Sequence, residues 1–370
     1  MKVLHLLSTG EIGGIEVLCK DISKYSDWDN IFCFVFSGGQ ITNEIDKTNG
    51  KVIVLKKSKN KLSLLKLRKL VSICNNEKVD IVNIHHNNVF LQFYYTKLKQ
   101  FLPKVKFVMT LHSCFEKEYN YCGNFFIDMC RKYYINKSLQ ISNLIIAVSK
   151  AGKRTYEENF NLLNKMIVVI YNGISPEILD KGKDNYNVCN DCIELMYIGR
   201  LVKIKGLENL ILAMDKLYIK YNIHLTLVGD GKDRKCFEKL VHKYSLEEYI
   251  TFVGFQRNLD YYFRKANIFI YPSICKEIFG ISIVEAMAYG LPCVANKIGG
   301  IPEIIIDGEN GFLTKKNDES GIVEAIIRVI NYSKDNDMSS ISNQAKYTAT
   351  KFSIGNTIVD LEKQYTDLLN

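Results

Sequence analysis

Residues 193–228, IELMYIGRLVKIKGLENLILAMDKLYIKYNIHLTLV, decide the fold. Ile193–Ile198 and His224–Val228 are short apolar runs of the kind that form buried strands, and Leu207–Tyr221 between them has the amphipathic spacing of a helix. Strand, helix and strand in that order make a βαβ unit, so the two strands lie parallel in one sheet.

The same alternation extends in both directions. Downstream it predicts strands at Tyr249–Val253, Asn267–Tyr271 and Pro292–Ala295, with helices at Asp233–Tyr244 and Ile281–Tyr289. Upstream it predicts strands at Lys2–Leu7, Ile31–Phe36, Val52–Leu55, Asp80–His85, Lys106–Leu111, Leu144–Val148 and Met166–Tyr171, with helices at Ile15–Tyr25, Leu62–Asn75 and Asn124–Ser138 among them. Between the two series, Ser175 to Asp191 is polar and aperiodic, which reads as a linker. The expectation is an α/β protein of two facing Rossmann-like, doubly wound domains, residues 1–174 and 193–352, joined by a linker at 175–192. A last helix, within 353–370 and about Asn356 to Leu369, follows a polar stretch around Asp335 to Asp337 and is expected to pack back towards the N-terminal domain. Two such domains turn the carboxyl ends of their strands toward one cleft, which suits a ligand with two parts.

With 370 residues, 47% of them hydrophobic and 24% charged, the chain has room for two cores. The opening MKVLHLLSTG has too short an apolar run and lacks a small-residue cleavage site, so it reads as a strand and not as a signal peptide. No stretch reaches the roughly 18 apolar residues of a membrane-spanning helix. A soluble or peripheral, cytoplasmic protein is expected. Eleven cysteines, an odd number at irregular spacing, fit reduced thiols in a reducing compartment. Cys189 and Cys192 form a lone CxxC that precedes a strand, which suits neither a zinc ribbon nor a redox motif.

The net charge of +9 is unevenly spread: residues 51–107 hold thirteen Lys and Arg against two Asp and Glu. Such asymmetry speaks of partners. Lys56, Lys57, Lys59, Lys61, Lys66, Arg68 and Lys69 surround Leu62, Leu64, Leu65, Leu67, Leu70 and Val71, an amphipathic segment with a cationic margin. A core-facing helix explains the leucines but leaves the lysines unexplained, and an anionic membrane surface is the expected partner. Nucleic acid is not.

Chemistry concentrates in one segment. Tyr271-Pro272-Ser273 ends a strand, and Lys276 to Ala288 runs through a turn into a helix whose free N–H groups make an anion site, with Gly280 admitting close backbone approach. Glu277 and Glu285, eight residues apart, would stand about 12 Å apart on a continuous helix. That exceeds the roughly 5–9.5 Å of a carboxylate pair for direct glycoside hydrolysis, so these two suit separate hydroxyls of one extended ligand. The Gly10-x2-Gly13-Gly14 loop lacks the GxGxxG fingerprint, which leaves a nicotinamide site unsupported and favours a phosphate or acceptor contact. Asp27-Trp28-Asp29 and Asp335-Asn336-Asp337 spell DxD, but neither lies at a strand end facing the expected donor site, and no metal is expected.

The chain here resembles the retaining glycosyltransferases of family 4, of the bacterial surface-polysaccharide type, which share the two-domain GT-B fold. Glu277 and Glu285 match the family's Glu-x7-Glu motif, followed by Gly290-Leu291-Pro292-Cys293-Val294 and Gly299-Gly300-Ile301-Pro302-Glu303. Upstream stand Gly199-Arg200-Leu201 with Lys205-Gly206, then Val228-Gly229-Asp230-Gly231 and Phe252-Val253-Gly254-Phe255, so the likeness is strongest over residues 193–315. In the first half, Gly13-Gly14-Ile15-Glu16 resembles the family's glycine-rich loop, Thr110-Leu111-His112 its strand-end histidine and Tyr171-Asn172-Gly173 its hinge entry. His85-His86-Asn87-Asn88 is a partial match, and Cys114 to Cys122 departs from the pattern.

The resemblance implies transfer of a hexose from a nucleotide diphosphate sugar, UDP ahead of GDP, to a glycan or lipid-linked acceptor at the inner face of the cell membrane, with no cofactor. It implies that Glu277 binds the transferred sugar, Glu285 the ribose, and Arg200 and Lys205 the diphosphate. Gly14, Gly254, Phe255, Ile278, Phe279, Gly280 and Ile281 would complete the donor site, with Gly13, Glu16 and His112 on the acceptor side and His112 also catalytic. Taken singly, such a Glu is usually solvated and an Arg-x4-Lys is usually a surface pair; the ordered series reverses that reading. For His112 the competing reading is a packed, hydrogen-bonded strand-end residue, and His5, His224 and His242 read as structural or exposed. Alternatives to transfer are a GT-B sugar-nucleotide epimerase, a phosphorylase, or a non-catalytic nucleotide-sugar-binding subunit.

Overall fold

The computed structural model describes residues 1–55, 62–116, 124–162, 165–182, 192–335 and 337–370. The chain forms two compact units: residues 1–173 with 354–370, and residues 174–353. Each is a parallel sheet between helices.

In the first unit, β1 (Lys2–Thr9), β2 (Asp29–Ser37), β3 (Lys51–Val54), β4 (Ile81–Ile84), β5 (Lys106–Leu111), β6 (Leu144–Ala147) and β7 (Ile167–Val169) lie in the order β3-β2-β1-β4-β5-β6-β7. The strands are apolar on both faces because helices cover both. Leu4, Leu6, Val82, Ile84, Phe107 and Met109 meet one layer, built from helices Leu64–Asn76, Val89–Phe101 and Phe125–Ile141. Val3, Ile81, Val108 and Ile146 point the other way, onto Leu18 and Ile22 of helix Gly14–Tyr25 and onto Ile354, Ile358, Leu361 and Tyr365 of the last helix, Ile354–Leu369. Tyr365 is fully buried, and its hydroxyl accepts a hydrogen bond from Asn83 Nδ2 at 2.9 Å. The last helix is therefore part of the first core, although the whole second unit separates it in sequence.

The second unit holds β8 (Ile193–Ile198), β9 (Ile223–Val228), β10 (Ile250–Gly254), β11 (Ile268–Tyr271), β12 (Cys293–Asn296) and β13 (Gly311–Thr314), ordered β10-β9-β8-β11-β12-β13. Leu195 and Tyr197 pack with Leu207, Leu210, Ile211 and Met214 of helix Leu207–Leu217, closing the βαβ unit read from residues 193–228.

Several expectations need correction. The segment after Gly173 is not a free-standing linker: a short helix, Pro176–Leu179, forms there, and Ile174 N–H donates to Phe352 O at 2.9 Å within the second unit. Residues 183–191, with Cys189, lie outside the described residues, as do Lys56, Lys57, Lys59, Lys61, Cys122 and Asn336. The polar stretch before the last helix contains two further helices, Glu319–Asp335 and Ser339–Lys351, and Asp337 Oδ1 accepts from Ser339 N–H at 2.8 Å to begin the second. Lys66 does not belong to a solvated cationic margin. It is 5% exposed, its Nζ donates to Val35 O at 2.9 Å and sits over the Phe36 ring, and burial lowers its pKa. No disulfide joins any of the nine cysteines among the described residues.

Candidate functional site

The strand order of the second unit reverses between neighbours β8 and β11, and the chain leaves their carboxyl ends in opposite directions. Open α/β sheets bind ligands at such a switch point. The loop after β8 carries Arg200 and Lys205, and the loop after β11 carries Glu277.

Backbone contacts bring these loops together. Lys203–Lys205 form one 3-10 turn that ends at Gly206, whose φ is +71°; a Cβ there would stand 1.9 Å from Pro272 O. Only glycine lets the Lys205 turn lie against the β11 exit. Ile274 N–H donates to Ile204 O at 3.1 Å, so the two loops are bonded directly. Lys205 Nζ then donates to Glu277 Oε1 at 2.5 Å, and Ser273 Oγ and Cys275 Sγ donate to the same oxygen at 2.5 and 3.4 Å. Burial raises the Glu277 pKa, but the charge of Lys205 and these hydrogen bonds outweigh it and hold the carboxyl below its ordinary value. A further hydrogen bond links Glu277 to the Tyr271 hydroxyl, whose pKa is raised well above its ordinary value by burial first and by the Glu277 charge next.

The Gly-Gly-Ile-Pro-Glu motif has a structural task. Gly300 N–H donates to Glu277 O at 2.7 Å, and a Cβ on Gly299, at φ +58°, would lie 2.2 Å from that carbonyl. The motif grips the Glu277 backbone from behind. Asn296 Nδ2 holds the preceding turn through Pro272 O and Ser273 O at 2.8 and 3.0 Å.

Arg200 is exposed, on a loop fixed by Tyr197 Oη donating to Arg200 O at 3.1 Å. Gly280, at φ +90°, opens helix Ile281–Ala288; Ile278 and Ile281 are half-buried beside it, and Glu285 is half-buried one turn further along. The Phe279 ring lies in the core against Phe352, so this residue offers a ligand its backbone only. Gly254 ends β10 and Phe255 is exposed just beyond. Sequence reasoning missed Ser273, Cys275 and Tyr271, the residues that position Glu277 and Lys205; their place between the strand end and Glu277 was the available signal.

The first unit has its own switch point, between β1 and β4. Gly13 caps helix Gly14–Tyr25, and Glu16 in its first turn is buried, with Oε1 at 3.1 Å from His86 Nε2. Ser8 N–H donates to His86 Nδ1 at 3.3 Å. His112, half-buried just past β5, is hydrogen-bonded to His85 at 3.0 Å, and His85 to His5 at 2.9 Å. Gly13, Gly14, Glu16 and His112 thus belong to the first unit and all the other expected site residues to the second. Asp29, the second acid of Asp27-Trp28-Asp29, begins β2 at its amino end, away from the carboxyl edge where ligands bind.

Fold and site define a glycosyltransferase, and comparison with known proteins agrees. The glycosyltransferase family 4 description matches residues 12–178 and that of glycosyl transferases group 1 matches residues 181–347. An uncharacterised glycosyltransferase of Methanocaldococcus jannaschii is 30% identical over 277 residues, 71% of this chain and 69% of the relative. The N-acetyl-alpha-D-glucosaminyl L-malate synthase of Bacillus anthracis is 27% identical over 269 residues, 71% of this chain and 68% of the relative. The crystal structure of Anabaena HepE in complex with UDP and glucose superposes with a TM-score of 0.82 at 21% identity, covering 99% of this chain and 100% of that one. The chain belongs to glycosyltransferase family 4, with the GT-B fold.

Proposed function

We propose that the protein transfers a hexose from a nucleotide diphosphate sugar, UDP ahead of GDP, to a hydroxyl of a lipid-linked glycan, with retention at the anomeric carbon, in surface polysaccharide synthesis. The observation that carries this reading is the Lys205–Glu277 pair at the switch point of the second sheet. In the transfer, the anomeric carbon loses its bond to the diphosphate oxygen and gains one to the acceptor oxygen, and the acceptor proton passes to the departing phosphate on the same face of the sugar. Negative charge grows on the diphosphate, and Arg200 and Lys205 stabilise it more in the transition state than before. Lys205 has three N–H donors, so it can hold Glu277 and a phosphate oxygen together. Glu277 takes a sugar hydroxyl, Glu285 the ribose hydroxyls, and the loop at Gly254 and Phe255 the base. Gly14 meets the diphosphate, and Gly13, Glu16 and His112 the sugar and acceptor. No metal is needed in this scheme. The UDP and glucose bound by the Anabaena enzyme support the choice of UDP.

A lipid-linked acceptor and a peripheral position at the inner face of the membrane fit the basic surplus of residues 51–107. An apolar groove of about 620 Å³ lies beside it in the first unit, lined by Leu62, Val89, Phe90, Phe93, Phe126 and Tyr134. Phe126 and Leu62 are exposed at its rim, so the groove and its edge form a contiguous apolar surface of the kind that meets a lipid or a partner. A soluble acceptor is the second reading, favoured by the malate in the name of the Bacillus relative.

The test is product analysis. Purified enzyme is incubated with UDP-sugars and either a lipid-linked or a soluble acceptor. A new glycoside with the donor's anomeric configuration is expected; inversion overturns retention, sugar phosphate points to a phosphorylase, and an altered nucleotide sugar to an epimerase.

A further inference from the structure

Three imidazoles cross the first sheet in a line. His5 lies within β1, His85 follows β4 and His112 follows β5, and these three strands are neighbours. His5 Nδ1 stands 2.9 Å from His85 Nε2, and His85 Nδ1 stands 3.0 Å from His112 Nε2. His5 Nε2 is 2.9 Å from Asn30 Oδ1.

The direction of this chain follows from its closed end. Trp28 Nε1, which can only donate, lies 2.8 Å from Asn30 Oδ1, so that atom is the amide oxygen. The other end of the amide, Nδ2, donates to Ser26 Oγ and Trp28 O at 2.7 and 3.1 Å. Facing an oxygen, His5 Nε2 must carry a hydrogen. A neutral His5 then has a bare Nδ1, which accepts from His85 Nε2–H. His85 in turn has a bare Nδ1, which accepts from His112 Nε2–H. The last ring is left with its Nδ1 bare.

We propose that His5 and His85 are positioning residues that hold His112 as the Nε2–H tautomer, so that His112 meets its ligand through a bare Nδ1 and accepts a hydrogen bond from a hydroxyl. That His112 touches substrate rests on the function proposed above; its tautomer does not.

Burial keeps the three rings neutral. It pushes His5 down to about 4, against a smaller upward pull from Asn30, and His112 to about 3, with the His86 charge adding to the effect. His85 is lowered well below its ordinary value by burial, then by the charges of His5, His112 and His86. Two other groups lie close: Glu16, which pairs with His86, and Cys19, whose thiol burial pushes up, followed by the charges of Glu16 and Asp21. A proton on His85 would oblige its Nδ1 to donate and reverse the tautomer of His112, whereas a proton on His112 Nδ1 disturbs no bond in the chain. The line therefore tolerates charge at its ligand end alone. Ligand atoms of His5, His85 and Cys19 lie within 4.8 Å of one another. Two nitrogens on one tetrahedral zinc at about 2.0–2.1 Å would stand roughly 3.3 Å apart. The 2.9 Å observed is a hydrogen-bond distance.

The experiment is ¹⁵N NMR of the histidine-labelled full-length enzyme at pH 7, joined to steady-state kinetics of two variants. In the wild type, His112 is expected as the Nε2–H tautomer with a bare Nδ1. His85→Gln keeps the polarity, since its amide oxygen can accept from His112 and its amide nitrogen can donate to His5; it should retain the tautomer and most of the turnover. His85→Phe removes both bonds, so His112 should become a tautomer mixture, with turnover falling roughly ten-fold, the value of one hydrogen bond. A charged or Nδ1–H His112 in the wild type, stoichiometric zinc or copper in the purified protein, or His85→Phe with an unchanged His112 spectrum overturns the proposal. The wild-type spectrum decides the tautomer even if His85→Phe does not fold, and absence of transfer with every nucleotide sugar overturns the function alone.

Discussion

Lys205 Nζ stands 2.5 Å from Oε1 of Glu277, and both side chains are largely withdrawn from water. The pair joins loops from two adjacent strands, so it is a structural tie as well as a site for charge. Removing one member of such a pair typically costs about 3–5 kcal/mol, because the other charge stays buried without compensation.

Lys205→Ala is therefore expected to lower both stability and turnover. The double variant Lys205→Met with Glu277→Gln should recover much of the stability and none of the turnover. Urea unfolding and initial rates measured on the same samples check this. Recovery of activity in the double variant would remove Lys205 from the chemistry.

Arg200 offers the contrasting case. It is exposed on a loop fixed through its backbone carbonyl, so Arg200→Ala should leave the melting temperature unchanged. Losing one charge-assisted contact to the diphosphate, worth roughly 1.5–3 kcal/mol, should weaken UDP binding by about 10- to 150-fold. Calorimetry of UDP binding reads this directly, and wild-type affinity would sink the assignment.

The two glutamates separate by the part of the donor each is proposed to hold. Glu277→Ala should depress turnover and spare UDP affinity, while Glu285→Ala should weaken UDP itself. Equal loss of UDP affinity in both variants would refute the division.

Acid should loosen the first unit through its histidines. His5 and His112 are held at about 4 and about 3 by burial, whereas in the unfolded chain each titrates near 6.5. Below that pH the unfolded chain takes up protons that the folded one refuses. Stability is thus fully present above about pH 6.5 and falls as the pH drops toward 4, by about 1.4 kcal/mol per unit for each histidine. Urea midpoints at stepped pH measure the slope, and His5→Phe should reduce it by one histidine's share. A midpoint independent of pH between 6.5 and 4 would contradict neutral burial.

Membrane attachment has a test of its own. Lys57, Lys59 and Lys61 changed to Glu should abolish salt-sensitive sedimentation with anionic liposomes, at about 1 kcal/mol for each charge near the surface, while activity on a soluble acceptor survives. Lys66 must be left alone, since Lys66→Glu would set a carboxylate against Val35 O. Equal sedimentation of variant and wild type would leave the soluble acceptor as the better reading.

Much of this molecule is legible in its sequence, for identifiable reasons. The strands are unbroken apolar runs because helices bury both faces of each sheet, and the Glu277 segment announces itself through the order of its motifs. The helix Glu319–Asp335 was also within reach: Ile322, Ala325, Ile326, Val329 and Ile330 have helical spacing. Helix Ser339–Lys351 was not, because Ser, Thr and Asn dominate it and packing through Ile341 and Ala345 overrides weak propensity. The burial of Lys66 and the alignment of His5, His85 and His112 depend on which strands become neighbours. Strand order is a property of the whole sheet, and no local pattern around any one histidine encodes it.

The membership of Ile354–Leu369 in the first core bears on how the chain is made. A ribosome delivers residues 174–353 before it delivers Ile354, so the second unit has its full complement while the first still lacks one wall. Until that final helix emerges, only helix Gly14–Tyr25 covers the sheet face carrying Val3, Ile81, Val108 and Ile146, and the side of Trp28 that meets Tyr365 stays open. The half of the protein synthesised first is the half completed last, and the nascent chain carries an open apolar face while residues 174–353 are made.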